Sequence, residues 1–304
     1  MVVLLVLLLL VGVVVWAAVT GQRIDLTETT SLDSLERADT IDVGDSSINL
    51  QQAAGGPVPV VLLHDFDVAG SVLWDAVAEE IGEGFHPLRV DLPGFGLSER
   101  LPGAGDGHTV SSMATVIAAV VSERSDVPVV VAGVGLGGRV AAELAVTNPD
   151  LVRGLVLVDV DFWSERDWVE FAETLPFVGR AVVHTFEGRG PFALDRWAPN
   201  CDEGGWCPTA DQIAARELAA SVAGTTDSLH GFRVTPTSSL VPSDLELITV
   251  PVSYVWSTEG AVPAESVEMI EGRLPEMSVI EAQAWKAHLE SPGLVVDAIE
   301  EVGG

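Results

Sequence analysis

The chain opens on a continuous apolar run, Val2 to Val19, eighteen residues without a charge. As a helix rising 1.5 Å per residue it covers most of a bilayer's hydrocarbon layer, so it predicts a transmembrane segment. A cleaved signal peptide is the rival reading. No Lys or Arg precedes the run, and Ala17, Ala18, Val19 and Thr20 make a poor cleavage site, which favours an uncleaved anchor over residues 1–20. From Thr20 to Arg37 the pattern is polar and aperiodic, rich in Thr, Ser, Asp and Glu, and residues 21–38 read as an acidic stalk.

The pattern then changes. Ile41 to Val43 and Ile48 to Gln52 are expected to pair as edge strands around a turn at Gly44 and Asp45. Val58 to Leu63 is continuously apolar rather than alternating, as a strand covered on both faces must be. Leu73 to Ile81 reads as a helix, Pro87 to Val90 as a strand, Met113 to Ser122 as a helix and Val127 to Ala132 as a strand. Arg139 to Thr147 is again helical, Leu155 to Val160 and Val250 to Trp256 are strands, and Gly293 to Val302 is the last helix. Regular alternation of strand and helix predicts an α/β fold with a mostly parallel sheet covered on both faces. Residues 161–245 break the alternation with helical pattern and with aromatics that include Trp163, Trp168, Phe171, Phe177, Phe186, Phe192 and Trp197. They read as a helical cap inserted into a core made of residues 39–160 and 246–304, with the aromatics expected chiefly as cap core.

Charge narrows the partners. Acidic residues outnumber basic ones 45 to 15, a formal charge of −30, and the basic residues include a single Lys, Lys286. Phosphate backbones would be repelled, which excludes nucleic acid, and a solvated acidic surface with little Lys suits a high-salt, halophilic setting. Two cysteines, Cys201 and Cys207, close the short loop Cys201, Asp202, Glu203, Gly204, Gly205, Trp206, Cys207. They are equally consistent with a disulfide facing an oxidising compartment and with two buried thiols, and without a His pair nearby they do not make a zinc site. Neither metal nor cofactor is expected. The expected partners are the lipid bilayer, through Val2 to Val19, and a small apolar ligand beneath the cap; a single-pass protein with its domain outside the cytoplasm is the favoured topology.

Three stretches carry a resemblance. Val61, Leu62, Leu63, His64, Asp65, Phe66 is similar to the strand and His-Gly turn that supplies part of an oxyanion hole; Asp91 to Ser98 (Asp, Leu, Pro, Gly, Phe, Gly, Leu, Ser) matches D-x-P-G-x-G-x-S; and His288, Leu289, Glu290, Ser291, Pro292 resembles the stretch after a catalytic histidine. Together they resemble the α/β-hydrolase family, in particular esterases, epoxide hydrolases and haloalkane dehalogenases with a helical cap. The resemblance implies a nucleophile on a G-x-S-x-G strand-to-helix turn, an acid after a late strand and a histidine base. Here the turn is Gly133, Val134, Gly135, Leu136, Gly137, so Gly135 stands at the nucleophile position. The acid position falls on Gly260, with Glu259 adjacent, and the base position on Trp285, which can neither accept nor return a proton. Asp65 replaces the oxyanion-turn glycine, between His64 and Phe66, and Leu136 follows the nucleophile position.

These substitutions imply a pseudohydrolase, a binding or scaffolding domain held at a membrane. An active hydrolase with relocated groups, His288 as base and Asp159 or Asp161 as acid, is the alternative. A third reading takes Gly133, Gly135 and Gly138 as G-x-G-x-x-G with Asp159 about twenty residues on, a dinucleotide site of Rossmann type. The charge makes one expectation independent of all three: unscreened repulsion destabilises the folded chain in dilute salt. The melting temperature should therefore rise between about 0.1 M and about 3 M salt, as the Debye length falls from about 10 Å to below about 3 Å; a flat profile in a thermal-melt series would contradict this.

Overall fold

The computed structural model describes residues 2–37, 39–44, 46–163, 168–199, 201, 205–235 and 242–304. Asp45 of the predicted turn and Asp202, Glu203 and Gly204 of the cysteine loop lie outside the described residues. Eight strands, β1 (Asp39–Val43), β2 (Ser46–Gln52), β3 (Val58–Leu63), β4 (Phe85–Val90), β5 (Val129–Val134), β6 (Val152–Val158), β7 (Val252–Ser257) and β8 (Ser278–Ala282), form one sheet in the order β1-β2-β4-β3-β5-β6-β7-β8. The first two pairings, β1 with β2 and β2 with β4, are antiparallel, and every later one is parallel.

Twelve α-helices accompany the described strands: α1 (Val2–Thr27), α2 (Asp75–Glu80), α3 (Val110–Arg124), α4 (Leu136–Thr147), α5 (Trp168–Glu173), α6 (Gly179–Phe186), α7 (Ala193–Trp197), α8 (Ala210–Ser221), α9 (Thr225–Val234), α10 (Ala264–Glu271), α11 (Ala287–Glu290) and α12 (Pro292–Gly303). The unbroken apolar runs follow from two covered faces. In β3, Val61 and Leu63 pack with Met113 and Ile117 of α3 and Leu144 of α4, while Val60 and Leu62 pack with Val77 of α2 and Ile299 of α12. The strand β8 and the helix α10 before it were absent from the expected order. Strand β8 is an edge, its first three residues half-buried, so its pattern lacks the apolar continuity that marks the central strands.

Between β3, β4 and β5 the chain reverses its direction of travel across the sheet, and ligand crevices of open α/β sheets lie outside the strand carboxyl ends at such a point. The loop after β4 is knotted there. The buried Asp91 accepts from the amides of Ser71 (2.7 Å) and Leu97 (2.8 Å) and from Asn49 Nδ2 (2.8 Å), and its carbonyl accepts from the Ser98 hydroxyl. His64 lies beneath, with Nε2 accepting from the Leu92 amide (3.0 Å), which leaves the proton on Nδ1 to donate to the Asp65 carbonyl. Arg100 donates to the carbonyls of Phe95, Gly96 and Ser98 and, across the interface, to the Ala219 carbonyl and the Thr225 hydroxyl. It therefore ties the loop to α8 and α9.

The expected stalk is corrected by the structure. Helix α1 continues to Thr27, and Thr20, Ile24 and Glu28, one helical turn apart, are buried against the body of the protein. Glu28 accepts from the Thr226 amide (3.0 Å to Oε2) and hydroxyl in the first turn of α9 and stands 3.7 Å from His184 Nδ1, while Thr30 bridges to Val222. A carboxylate at that place satisfies amides that a helix start leaves unpaired. Polar composition suggested a solvated spacer because pairing partners about two hundred residues away are invisible to local pattern. Leu4–Thr27 remains apolar and long enough to cross a membrane, although a signal sequence passes the same test. Replacing Glu28 with Ala should destabilise the fold by about 1–3 kcal/mol, since it leaves buried donors without a partner. Melting curves would report the loss, and limited proteolysis should cut near Thr30 in Glu28→Ala but not in the surface control Asp33→Ala.

Candidate functional site

The site is built where β5 turns into α4. Gly135 ends that turn with φ +50° and ψ −111°, a backbone that residues with a Cβ adopt only under strain. Its amide donates to the Val158 carbonyl (3.2 Å), locking the turn to β6. Close approach is required here too, because a Cβ on Gly138 would overlap Val160. Asp65, immediately past β3, sends its carboxylate into the space in front of Gly135. A Cβ built on Gly135 would overlap that carboxylate, and Asp65 Oδ1 accepts from the Leu136 amide (2.8 Å). The amide at the start of α4, which resemblance makes an oxyanion donor, is thus already used.

Asp159 follows β6 with φ +49°, an uncommon backbone for a residue with a side chain. Both of its oxygens are held by Ser257 at the end of β7, Oδ1 by the amide (2.7 Å) and Oδ2 by the hydroxyl (2.6 Å), and the Ser257 hydroxyl accepts from the Ala287 amide. Burial pushes the Asp159 carboxyl up, the bonds from Ser257 pull it down, and the nearby charge of Asp65 adds to the rise. Asp161 is engaged otherwise: its carbonyl accepts from Arg139 Nε (2.9 Å) and Nη2, and Oδ1 accepts from the Trp163 amide (2.8 Å).

A cleft of about 390 Å³ covers these residues. Asp65, Asp159, Asp161 and Glu170 line it with Arg139 and Arg233, beside the apolar Phe66, Val110, Leu136 and Phe232. Phe66 forms one wall with the Arg233 guanidinium 3.9 Å from its ring centroid. Arg233 also pairs with Glu170 (3.0 Å) and with the fully buried Glu173 (2.6 Å), whose carboxyl burial pushes up to about 7 against the opposing pull of Arg233. His108, buried edge-to-face against Phe232, is held below its usual range by burial.

The other candidates stand elsewhere. His288 is buried against Trp74 (5.3 Å between rings), outside the cleft lining, and desolvation, assisted by Lys286, pushes it down to about 3. It is enclosed, and a ring held so far below its usual range is a weak proton acceptor. Glu259 is exposed, with its amide bonded to the Ala284 carbonyl. Gly260 sits against the Trp285 carbonyl, and the Trp285 amide donates to Glu290 (2.9 Å). His64 is the buried support of the Asp91 loop, not a cleft wall. A pyrophosphate on the glycine turn would meet the Asp65 carboxylate, which already accepts from the amide at the start of α4. Sequence reasoning missed Ser257, Arg139, Arg233, Glu170 and Glu173 as site components; strand ends give Ser257 a weak signal, and the inserted helices give none. The aromatics expected as core divide differently, with Trp197 buried but Trp168, Phe171, Phe177 and Phe192 exposed. The cysteines are joined as a disulfide.

A model of the alpha/beta hydrolase family matches residues 60–298, and the chain belongs to that family. A pimeloyl-[acyl-carrier protein] methyl ester esterase of Aeromonas salmonicida is 32% identical over 124 residues, 40% of this chain and 46% of that protein. The chain thus spans about half the length of this curated relative. A thermophilic esterase from Thermogutta terrifontis superposes with a TM-score of 0.66 at 23% identity, covering 88% of this chain and all (100%) of the other. A hydrolase from Pseudomonas aeruginosa gives 0.66 at 18% identity, covering 88% and 98%. At such identities these likenesses establish the fold.

The buried His288 makes a prediction with a definite sign. Its folded pKa lies below the unfolded value of about 6.5, so the stability it contributes is complete above pH 6.5 and is lost as pH falls toward about 3, at up to about 1.4 kcal/mol per pH unit. Measured against His288→Gln, whose side chain does not titrate, the wild type should lose its advantage in melting temperature steadily across that window. A difference that stays constant from pH 7 to pH 4 would show that His288 is not buried as a neutral ring.

Proposed function

We propose that this chain is a membrane-tethered, non-catalytic α/β-hydrolase: a binding or scaffolding domain whose cleft is formed by the strand ends and the inserted helices α5 and α9. One observation carries the reading. The Asp65 carboxylate fills the volume a nucleophile at position 135 would need, and it accepts the Leu136 amide that would otherwise meet a developing oxyanion. A negative group there opposes the charge that ester hydrolysis must stabilise. Gly135 offers no attacking atom, Trp285 no proton carrier and Gly260 no carboxylate, and the buried His288 does not replace the base. Helix α1 supports the tether, and the Cys201–Cys207 bond supports a domain on an oxidising side of the membrane.

The wild type should hydrolyse no chromogenic ester above background. Turnover that is abolished by Asp161→Asn or His288→Gln would overturn the reading in favour of relocated groups. The packing gives a second, independent readout. Gly135→Ser alone should destabilise by about 1–3 kcal/mol, through overlap with Asp65 as well as the positive φ, and remain inactive. Asp65→Gly in the same chain should restore much of that loss, a coupling on the order of 1–3 kcal/mol in a double-mutant cycle. Strict additivity would mean that Asp65 does not occupy the nucleophile's place.

A further inference from the structure

The face of the α5–α6 corner is unusual for a soluble surface. Phe177, between the two helices, is 98% exposed and is held at φ +70°, one of two described non-glycine residues with positive φ. Phe171 is 60% exposed and Leu175 also stands open. A strained backbone that presents a phenyl ring entirely to solvent costs free energy on both counts, and contiguous exposed apolar groups of this kind mark interaction surfaces.

The position of the patch relative to α1 identifies what covers it. Asp25 faces Arg180 (3.8 Å), Glu28 faces His184 (3.7 Å), and the Thr27 carbonyl accepts from Arg189 (3.1 Å). The two contacts within α6, at Arg180 and His184, advance with Asp25 and Glu28, so α1 and α6 run in the same sense where they touch, and Arg189, beyond α6, reaches back to Thr27. Back along α1 from Asp25 lies the buried Thr20, and back along the chain from Arg180, in the turn before α6, lie Leu175 and Phe177. The corner, at the start of α6, is therefore on the side toward which α1 leaves the body past Thr20 and its bare apolar stretch begins. Trp16 lies one turn further along α1, and the exposed Arg23 lies on the body side. Aromatic rings at the level of lipid headgroups with an arginine reaching outward is the arrangement of a membrane–water interface. Since Thr20, Ile24 and Glu28 fasten α1 to the domain, the corner cannot swing away from a bilayer the helix enters.

We propose that Phe177, with Phe171 and Leu175, inserts into the interfacial layer of the bilayer, so that the α5–α6 corner is a second membrane contact beside α1. The proposal rests on the reading of α1 as an uncleaved anchor. Amphipathic insertion of this kind adds apolar burial to a tether and fixes the orientation of the domain over the lipid.

The test uses the full chain reconstituted into vesicles of phosphatidylcholine and phosphatidylglycerol. Because both native cysteines are bonded, single substitutions Phe177→Cys, Phe171→Cys, Leu9→Cys and Val127→Cys each provide one reactive thiol for an environment-sensitive fluorophore. Leu9 reports the anchor, and Val127, exposed before β5 at the opposite end of the sheet, reports the aqueous side. Labels at 177 and 171 should show blue-shifted emission, quenching by nitroxide lipids and protection from aqueous acrylamide, as at Leu9 and unlike Val127. Leu9 in lipid with 177 and 171 as open to acrylamide as Val127 would overturn the proposal and leave the anchor standing. Leu9 in water would sink the anchor and the proposal together. Protection at 177 that appears in detergent without lipid and rises with protein concentration would assign the face to a second copy of the chain, and so would also overturn it. The two side chains are too exposed for their replacement to disturb the core, and a circular dichroism spectrum of each variant confirms that the fold is intact.

Discussion

The carboxyl ends of β3 and β5 approach so closely that the space between them holds a single side chain, and in this chain it comes from residue 65 rather than residue 135. Most of the site follows from that exclusion. With Asp65 in place, a glycine at 135 satisfies both the positive φ and the lack of room, and the Leu136 amide finds its acceptor inside the protein. The turn keeps its shape because backbone, not the missing side chain, determines it: the Gly135 amide bonds to β6 and α4 starts directly behind. The elbow backbone thus stands with a glycine at position 135.

Around this point the protein is held by charges buried in pairs and fans rather than by isolated ions. Asp91 collects donors from three segments, and Arg100 distributes its guanidinium over the same loop and two inserted helices, with burial lowering it to about 10 against the raising effects of Asp91 and Glu28. Arg233 gathers Glu170 and Glu173 and stacks on Phe66. Removing one member of such a set leaves the others desolvated and unpaired, so each acts as a unit. Of the buried acids, Glu173 pairs with an arginine, while Asp91 and Glu28, like the half-buried Asp159, are held by amides and hydroxyls.

The same logic joins the apolar helix to the domain. Glu28 at the start of α9 and Asp25 beside Arg180 make α1 a structural element of the insertion, not a detachable leash. Any motion of the inserted helices relative to the sheet must then move α1 or break those bonds, which couples the roof of the cleft to the orientation of the apolar segment.

How much of this was legible without coordinates differs by residue. Val58 to Leu63 and Leu155 to Val160 announced central strands through their apolar runs, the second ending in the structure at Val158, whereas β8, half-exposed at an edge, carried no such mark. Asp91 to Ser98 and the glycines at 133 and 135 were readable because close backbone approach admits few residues. The resemblance placed Gly135, Gly260 and Trp285 at the nucleophile, acid and base positions, yet it could not say that Asp65 lies in front of the first of them, that Ser257 holds Asp159, or that Glu28 caps a helix two hundred residues away. The sequence by itself determined which local backbone shapes and covered faces were possible, since these depend on neighbours in the chain. Only the tertiary structure decided which side chain occupies a shared space and which buried charges meet, because those outcomes depend on distances that long-range packing sets.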